Sequence, residues 1–489
     1  MNKIFIIIIV SFVFLGLSNC GDDFLDRNHP GTMSFDKIYK TKRDFDAALA
    51  GCYSSFRNQA NVNIYFGDFP ADNVYQTRFK PADGWTEIKQ QKHNAANGSF
   101  SSIWSNSYTT IQRVNILLDQ MSTSSLDDKD KQLISAEAKF LRAYSYFYLL
   151  RIFGGVPLFD RYIDVQDMYD VPRASVEEVK NLILEDLSEA INIDSYRSAG
   201  DNSEGRASAI ATKTLLAKTY LWLKDFANAE STLADIVNNN GGLDLEDLSV
   251  LYHPDQPINK EIIFSINYDR VSGFSFPYVT SFIPFYAPPG EVYPNYMDTQ
   301  KSDTGNGMIE PFTVEKFSPE DKRLELIDTL VSSYVGTIDT NIYSLKYIDF
   351  ATTSNGLSGA TVIVLRYADV LLMYAEALNE NGKTAQAYPY INRIRNRAEI
   401  GDLPSGYSKE QMFQALAEER QKEFLMEGDR WFDLVFRGFD FLKRTIDDYS
   451  PHAYLEANRD IVVRDNCILF PIPESQMQIQ PVLIQNPGY

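Results

Sequence analysis

Apolar residues recur along this chain at the spacing of a helix face far more often than at the alternation of a strand. The pattern starts near Phe35 and runs through Phe45, Leu49 and Tyr53, then returns over 102–121 through Ile103, Ile111, Val114, Leu117 and Leu118. The segment 129–153 carries Leu133, Ala136, Phe140, Ala143, Phe147 and Leu150 on one helical face and stops at Gly154-Gly155, a pair that ends helices well. Further helices are predicted at 175–193, 207–223, 226–238, 366–381, 384–397, 409–427 and 430–443.

Three stretches break the rhythm. Residues 67–99 hold Pro70, Pro81, Gly84 and Gly98 without steady periodicity, which predicts a long ordered loop, a type of segment that often carries function. Residues 241–358 are rich in Pro, Gly and Tyr and predict loops, short strands and an irregular subdomain. The tail 466–489, with Pro471, Pro473, Pro481 and Pro487, predicts an extended path over the surface. Two hairpins share a layout: Leu215-Leu216 precedes Ala229, and Leu371-Leu372 precedes Ala385, by 14 positions from the first leucine. That is tetratricopeptide-like, although ordinary helix-hairpin packing accounts for it equally.

The first residues set the compartment. Lys3, an apolar run over 4–17 and Ser18-Asn19 before Cys20 make a secretory signal at 1–19, too short for a membrane span of about 20 residues. Leu17-Ser18-Asn19-Cys20 resembles a bacterial lipobox, with Asn19 where a small residue is usual. Acylation at Cys20 would anchor the mature chain, each buried methylene contributing about 0.8 kcal/mol. An ordinary cleaved signal is the alternative. Gly21-Asp22-Asp23 resembles the acidic export signal of surface lipoproteins in Bacteroidetes, and the polar run 20–34 reads as a lipidated tether.

Four further motifs carry a family resemblance. They are Ala136-Glu137-Ala138-Lys139-Phe140-Leu141-Arg142-Ala143-Tyr144 with Phe153-Gly154-Gly155-Val156-Pro157-Leu158; Arg366-Tyr367-Ala368-Asp369 through Ala377 with Ile391-Asn392-Arg393-Ile394-Arg395; Glu419-Arg420, Glu423-Phe424, Glu427-Gly428 and Arg430-Trp431-Phe432-Asp433-Leu434; and Phe470-Pro471-Ile472-Pro473 to Gln485-Asn486-Pro487-Gly488-Tyr489. In this order they resemble the SusD/RagB family of outer-membrane nutrient-binding lipoproteins. The resemblance implies a mainly α, SusD-like fold with tetratricopeptide-like hairpins and a loop-rich subdomain with short strands. It divides the mature domain 35–489 into an N-terminal half (35–240), an irregular insert (241–358) and a C-terminal half (359–489). It also implies a glycan ligand, an outer-membrane location facing the exterior, and a SusC-like TonB-dependent porin as partner.

Composition agrees with a binding role. Asp plus Glu number 66 against 46 Lys plus Arg, a net charge of −20, which repels nucleic acid and favours neutral ligands. Aromatic residues reach 13% and serve cores and flat sugar-stacking platforms alike. Cys52 and Cys467 can pair or sit as small buried hydrophobes. His29, His93, His253 and His452 stand alone, without zinc-binding spacing, and no phosphate loop or nucleophile elbow is present, so no catalytic residue, metal or cofactor is predicted. Asp244, Glu246 and Asp247 lack calcium-loop spacing and read as a solvated turn. Glu419, Glu423 and Glu427 are spaced i, i+4, i+8 beside Arg420 and Arg430 and read as an ion-pair lattice rather than an acid–base pair.

A sugar receptor needs exposed rings flanked by Asp, Asn or Arg. The candidates are Asp72, Asn73, Tyr75, Arg78 and Trp85 in the first loop, and Tyr286, Tyr293 and Tyr296 in the second, where Phe282 and Phe285 accompany them. Trp104, Trp431 and Phe432 are assigned to the core. The leading reading is a non-enzymatic lipoprotein that binds oligo- or polysaccharide for the transporter. Its rivals are a lid or interaction subunit for peptide or other nutrient uptake, without glycan specificity of its own, and a glycoside hydrolase on a helical scaffold.

Overall fold

The computed structural model describes residues 38–76, 83–192, 205–271, 274–276, 282–284, 291–292, 307–334, 336–353 and 357–489. The signal, Cys20 and the tether at 20–34 lie outside them. The architecture is mainly α. Helices α1 (Lys42–Asp68), α2 (Asp83–Lys89), α3 (Gly98–Ser122), α4 (Asp128–Phe153), α5 (Val176–Ile191), α6 (Ala209–Trp222) and α7 (Phe226–Asn238) build the first part. Helices α8 (Tyr367–Glu380), α9 (Thr384–Arg397), α10 (Lys409–Glu423), α11 (Arg430–Arg437), α12 (Phe439–Tyr449) and α13 (Glu474–Ile479) build the last.

From α3 to α10, leaving aside the irregular region, each helix packs on the next, and α7 meets α8 across that region. The two look-alike hairpins, α6–α7 and α8–α9, therefore lie side by side. Leu215, Leu216, Leu371, Leu372 and Ala229 are buried as the pattern requires, but Ala385 is exposed. Ala387 is the small residue that lets α9 approach α8. Local chemistry sets the helix ends: Ser175, Ser208 and Ser408 accept backbone N–H bonds at their N-termini, and Gly154 closes α4 at φ +76°, a conformation costly for any side chain.

Several boundaries differ from the sequence reading. Helix α1 continues to Asp68 and α2 fills 83–89, so 67–99 is not one long loop. The helix predicted over 430–443 breaks at Gly438, which has φ +100°, and restarts as α12. The tail holds one short helix, α13. In the irregular region, strand β2 (Ile262–Ile266) pairs antiparallel with β6 (Val362–Arg366), and β4 (Ile327–Tyr334) with β5 (Thr337–Ser344) in a hairpin. Strand β3 (Met308–Ile309) reaches back to β1 (Val74–Tyr75). Cys52 and Cys467 are free thiols, both buried.

Glu419, Glu423 and Glu427 do form a lattice, but not with Arg420 and Arg430. Arg366, 2% exposed, donates to Glu261 (2.8 Å), Glu423 (2.5 Å) and Glu427 (2.8 Å). Arg397 bonds Glu261 and Glu423, Arg323 bonds Asp321 and Glu419, Arg395 bonds Glu419, and Lys346 bonds Glu427. Five cations thus meet five carboxylates. Burial alone would raise the pKa of Glu423; Arg397, Arg366 and Arg323 overcome it and hold the carboxyl well below the usual range. Arg420 instead serves Asp369 and Asp433, and Arg430 serves Asp72. Glu427 lies beyond the end of α10, past Met426 at φ +67°, so only Glu419 and Glu423 share the helix face.

Removing one member of a buried set strands the others without solvent. Glu423→Ala should cost about 3–5 kcal/mol of unfolding free energy, whereas Lys443→Ala, which breaks an exposed pair on α12, should change it by less than about 0.5 kcal/mol. Urea denaturation of the two variants checks this; equal effects would remove the special status of the lattice.

Candidate functional site

The site region forms where the C-terminal turn of α1 meets the 426–430 turn. Here backbone touches backbone: a Cβ on Gly67 would sit 1.7 Å from the Gly428 carbonyl oxygen, and one on Gly428 would sit 2.7 Å from the Ile64 Cα. Asp68, at the last residue of α1, accepts the Gly428 N–H at 2.8 Å and the Asn73 amide at 3.2 Å. Burial pushes its carboxyl up to about 7 against those hydrogen bonds.

Three of the proposed ligand residues lie inside this arrangement. Asp72 is fully buried, bound by Arg430 (2.8 and 3.0 Å), Lys316 (3.1 Å) and Gln421 (2.8 Å). Asn73 is buried between Asp68 and Gln421, and Tyr75 is buried with its ring 4.8 Å from that of Tyr454. All three form the floor rather than the surface, because their polar groups are consumed by internal partners. Arg78, Phe285, Tyr286, Tyr293 and Tyr296 lie outside the described residues.

Trp85 is half-buried. Helix α2 lays its ring over Tyr65 at 5.0 Å and 25°, with the edge of Phe66 at 5.1 Å. Phe282, buried in the core, lies 5.6 Å from Tyr65. The N-terminal end of α2 is fixed by Asn97, whose amide donates to Gly84 (2.8 Å) and Glu87 (2.9 Å). Trp104 is core, packed on Tyr108 and Phe153, and Trp431 and Phe432 are buried too.

Beside α2 opens a cleft of about 640 Å³. One wall is Gln76, Thr86, Lys89 and Gln90; the other is the segment 454–459, with Tyr454, Asn458 and Arg459. Gln90 bridges the walls by donating to Asn458 at 3.3 Å. Lys89 lies beneath, donating to the Ala71 carbonyl over the Tyr449 ring. Burial lowers its pKa to about 8, against the pull of Glu310, Asp72 and Asp68. Among the described residues lining the cleft, Glu456 is the one carboxylate. An amide- and hydroxyl-lined cleft can exchange hydrogen bonds in both directions with a neutral polyhydroxylated ligand. Sequence reasoning missed the second wall, since nothing around Tyr454–Arg459 marks it and its contact to Gln90 spans 368 positions.

The other polar clusters are engaged internally. Asp244 pairs with Arg393, Glu246 with Lys260 and Asp247 with Lys322, and among the described residues no group of three or more His, Cys, Asp or Glu could hold a metal ion. No described helix is long and apolar enough to cross a membrane.

Two family models match this chain: one described as the SusD family over residues 328–489, the other as starch-binding, associating with outer membrane, over residues 23–221. A SusD-like protein, P2, of Formosa agariphila is 26% identical across 98% of this chain and 99% of that protein. A laminarin-binding SusD-like protein of known structure superimposes with a TM-score of 0.76 at 24% identity, covering 92% of this chain and 100% of its own. Surface glycan-binding protein A from Bacteroides fluxus does so with a TM-score of 0.77 at 23% identity, again covering 92% and 100%. At these identities the two structures speak for the fold.

The segment after α2 is held by His93, whose ring packs among Phe100, Phe470 and Tyr489, with Nε2 3.0 Å from the Tyr489 hydroxyl. Burial, aided by Arg464, lowers its pKa to about 3. An unfolded histidine titrates near 6.5, so the unfolded chain takes up this proton first and the stabilisation present above that pH is lost as pH falls towards the folded value. The stability difference between the parent and His93→Gln should therefore shrink by up to about 1.4 kcal/mol per pH unit below pH 6. Urea midpoints from pH 7 to pH 4 measure it, and a difference that does not vary with pH would show that the ring is not buried neutral.

Proposed function

This chain belongs to the SusD/RagB family, and from that membership we propose that it is a surface lipoprotein of the outer membrane, acylated at Cys20. In this reading it binds neutral oligo- or polysaccharide in the cleft beside α2 and delivers it to a SusC-like TonB-dependent transporter. It performs no chemistry on the ligand.

The observation that carries the reading is the lining of the cleft. Gln90 supplies a half-buried amide, Tyr454 a half-buried ring and Arg459 an exposed guanidinium. Behind them Gln76, Thr86, Asn458 and the Tyr454 hydroxyl hydrogen-bond within the protein. A ring beside polar donors suits neutral sugars. The buried charges below it are already paired: Asp72 by Arg430 and Lys316, while Lys89 faces Glu310 and Asp72. A glycosidase places two carboxylates about 5–10 Å apart across the bond it cleaves; a wall whose described carboxylate is Glu456 alone favours capture over cleavage. In this reading Trp85, half-buried on α2, and Tyr286, Tyr293 and Tyr296 are ligand-contacting rings. The names of the laminarin-binding and glycan-binding structures and the family description that mentions the outer membrane support both the ligand class and the location.

Gln90 and Arg459 are partly or fully exposed on opposite walls, so both can be replaced without opening the core. Each hydrogen bond lost costs about 1 kcal/mol. The variant Gln90→Ala/Arg459→Ala should therefore bind its best neutral oligosaccharide roughly 10- to 100-fold more weakly in calorimetry, with a melting temperature lowered by only a few degrees as the bonds to Asn458 and Ala453 are lost. Unaltered affinity across a glycan panel would place the ligand elsewhere. Cys20→Ala should shift the protein from the membrane fraction to the soluble one; full retention on membranes would contradict the lipid anchor.

A further inference from the structure

On the far side of Asp72 lies a second hollow, of about 540 Å³, between α10 and α12. Its charge runs against that of the molecule. Lys316, Lys422, Arg430 and Arg444 face it, against Glu418 and Asp448, in a chain whose net charge is −20. Arg430 and Lys316 form its floor and are engaged with Asp72.

The cations at its mouth are not so engaged. Lys422 and Glu418, and likewise Arg444 and Asp448, stand four positions apart on a helix, the spacing of a surface ion pair. Yet among the described residues neither Lys422 nor Arg444 has a carboxylate within ion-pair distance, unlike Lys443, which pairs with Asp447 at 2.5 Å. Among the described residues the Arg444 side chain makes one hydrogen bond, from Nε to the Asp440 carbonyl at 3.3 Å, and its guanidinium lies 6.0 Å from the Phe441 ring centre. This leaves the outer edge of the guanidinium available for bidentate binding of an oxyanion. Lys422 sits in the last turn of α10, where a cation complements the helix dipole. That accounts for Lys422 but not for basic residues converging from α11, α12 and the 316 turn. The half-buried ring of Phe441 lines the same hollow, beside Gln414, Gln421 and Thr445. A ring flanked by amides and a hydroxyl suits the apolar face of a sugar.

We propose that this hollow is a second saccharide site, selective for sugars that carry an anionic group, with Lys422 and Arg444 holding the anion and Phe441 the ring. It is separate from the α2 cleft, and does not require that cleft to bind glycans.

Trigalacturonate and the neutral galactotriose, titrated calorimetrically into the full chain at low salt, test it. Trigalacturonate should bind at least 10-fold more tightly than galactotriose and weaken several-fold as salt is raised to 0.5 M, as expected for screened surface charges. Lys422→Ala/Arg444→Ala, both side chains being at least partly exposed, should abolish that preference while keeping the melting temperature and the affinity for neutral glycans. Equal affinity of parent and double variant for trigalacturonate, or no binding by the parent, overturns the proposal. Inorganic sulfate competing as well as trigalacturonate would overturn the saccharide part, reducing the hollow to an anion site. Loss of neutral binding in Gln90→Ala/Arg459→Ala bears on the α2 cleft alone, so the two ideas can fail separately.

Discussion

Arg366 carries its charge into a place where water cannot follow, at the junction of β6 and α8. A lone guanidinium there would cost several kcal/mol. It is tolerated because Glu261, Glu423 and Glu427 surround it, and because Arg397 and Lys346 in turn satisfy those carboxylates. Such a set is worth having only when complete, so the elements that supply its members must arrive together. These are β6, the residue preceding β2, α9, α10 and the segment after β5. The next step outward is the turn that holds Glu427, Gly428 and Asp429. Gly428 lies against Gly67 and donates to Asp68, and Arg430 fixes Asp72. Strand β1 and Gln76 follow from there. The wall of the cleft is thus positioned by charges that never reach the surface.

The same chain of contacts explains what could be read from the sequence. The i, i+4, i+8 spacing of Glu419, Glu423 and Glu427 beside Arg420 and Arg430 is enough to identify a lattice, although Glu427 lies past the end of the helix. The partners were not legible, because Arg420 and Arg430 point to Asp369, Asp433 and Asp72, while the actual partners come from positions 323, 366, 395 and 397. Helix periodicity located nearly every helix, and it failed where one residue decides: Gly438 breaks a helix whose apolar pattern runs through it. Asp72, Asn73 and Tyr75 resemble receptor residues because the same polar side chains that meet a sugar also satisfy buried charge in a short connection. The two uses differ only in what lies behind them. The wall from Tyr454 to Arg459 carries no signature at all, since its role comes from a neighbour hundreds of positions away.

Placing Asp72 between two hollows gives the region an internal division. On the α2 side half of the lining residues carry amides or hydroxyls; on the α10–α12 side the charged lining is mainly basic and has a ring beside it. One buried carboxylate separates them, held by Arg430 and Lys316, which also face the second hollow. A molecule with large net negative charge keeps a local positive field only where cations are spared from pairing, as at Lys422 and Arg444.

The segment 470–489 has a bearing on how the chain comes to be folded. Phe470 fills the space between Phe66 and Phe100, Asn486 donates to the Phe153 carbonyl, and Tyr489 meets His93 across 396 positions. The helices made first on the ribosome therefore cannot close their own interior until residues made several hundred peptide bonds later are present. Loop closure over such distances is slow. During that interval the early helices lack the Phe470, Asn486 and Tyr489 side chains that complete their packing. Long-range wiring of this kind delays compaction without any separate device to prevent it.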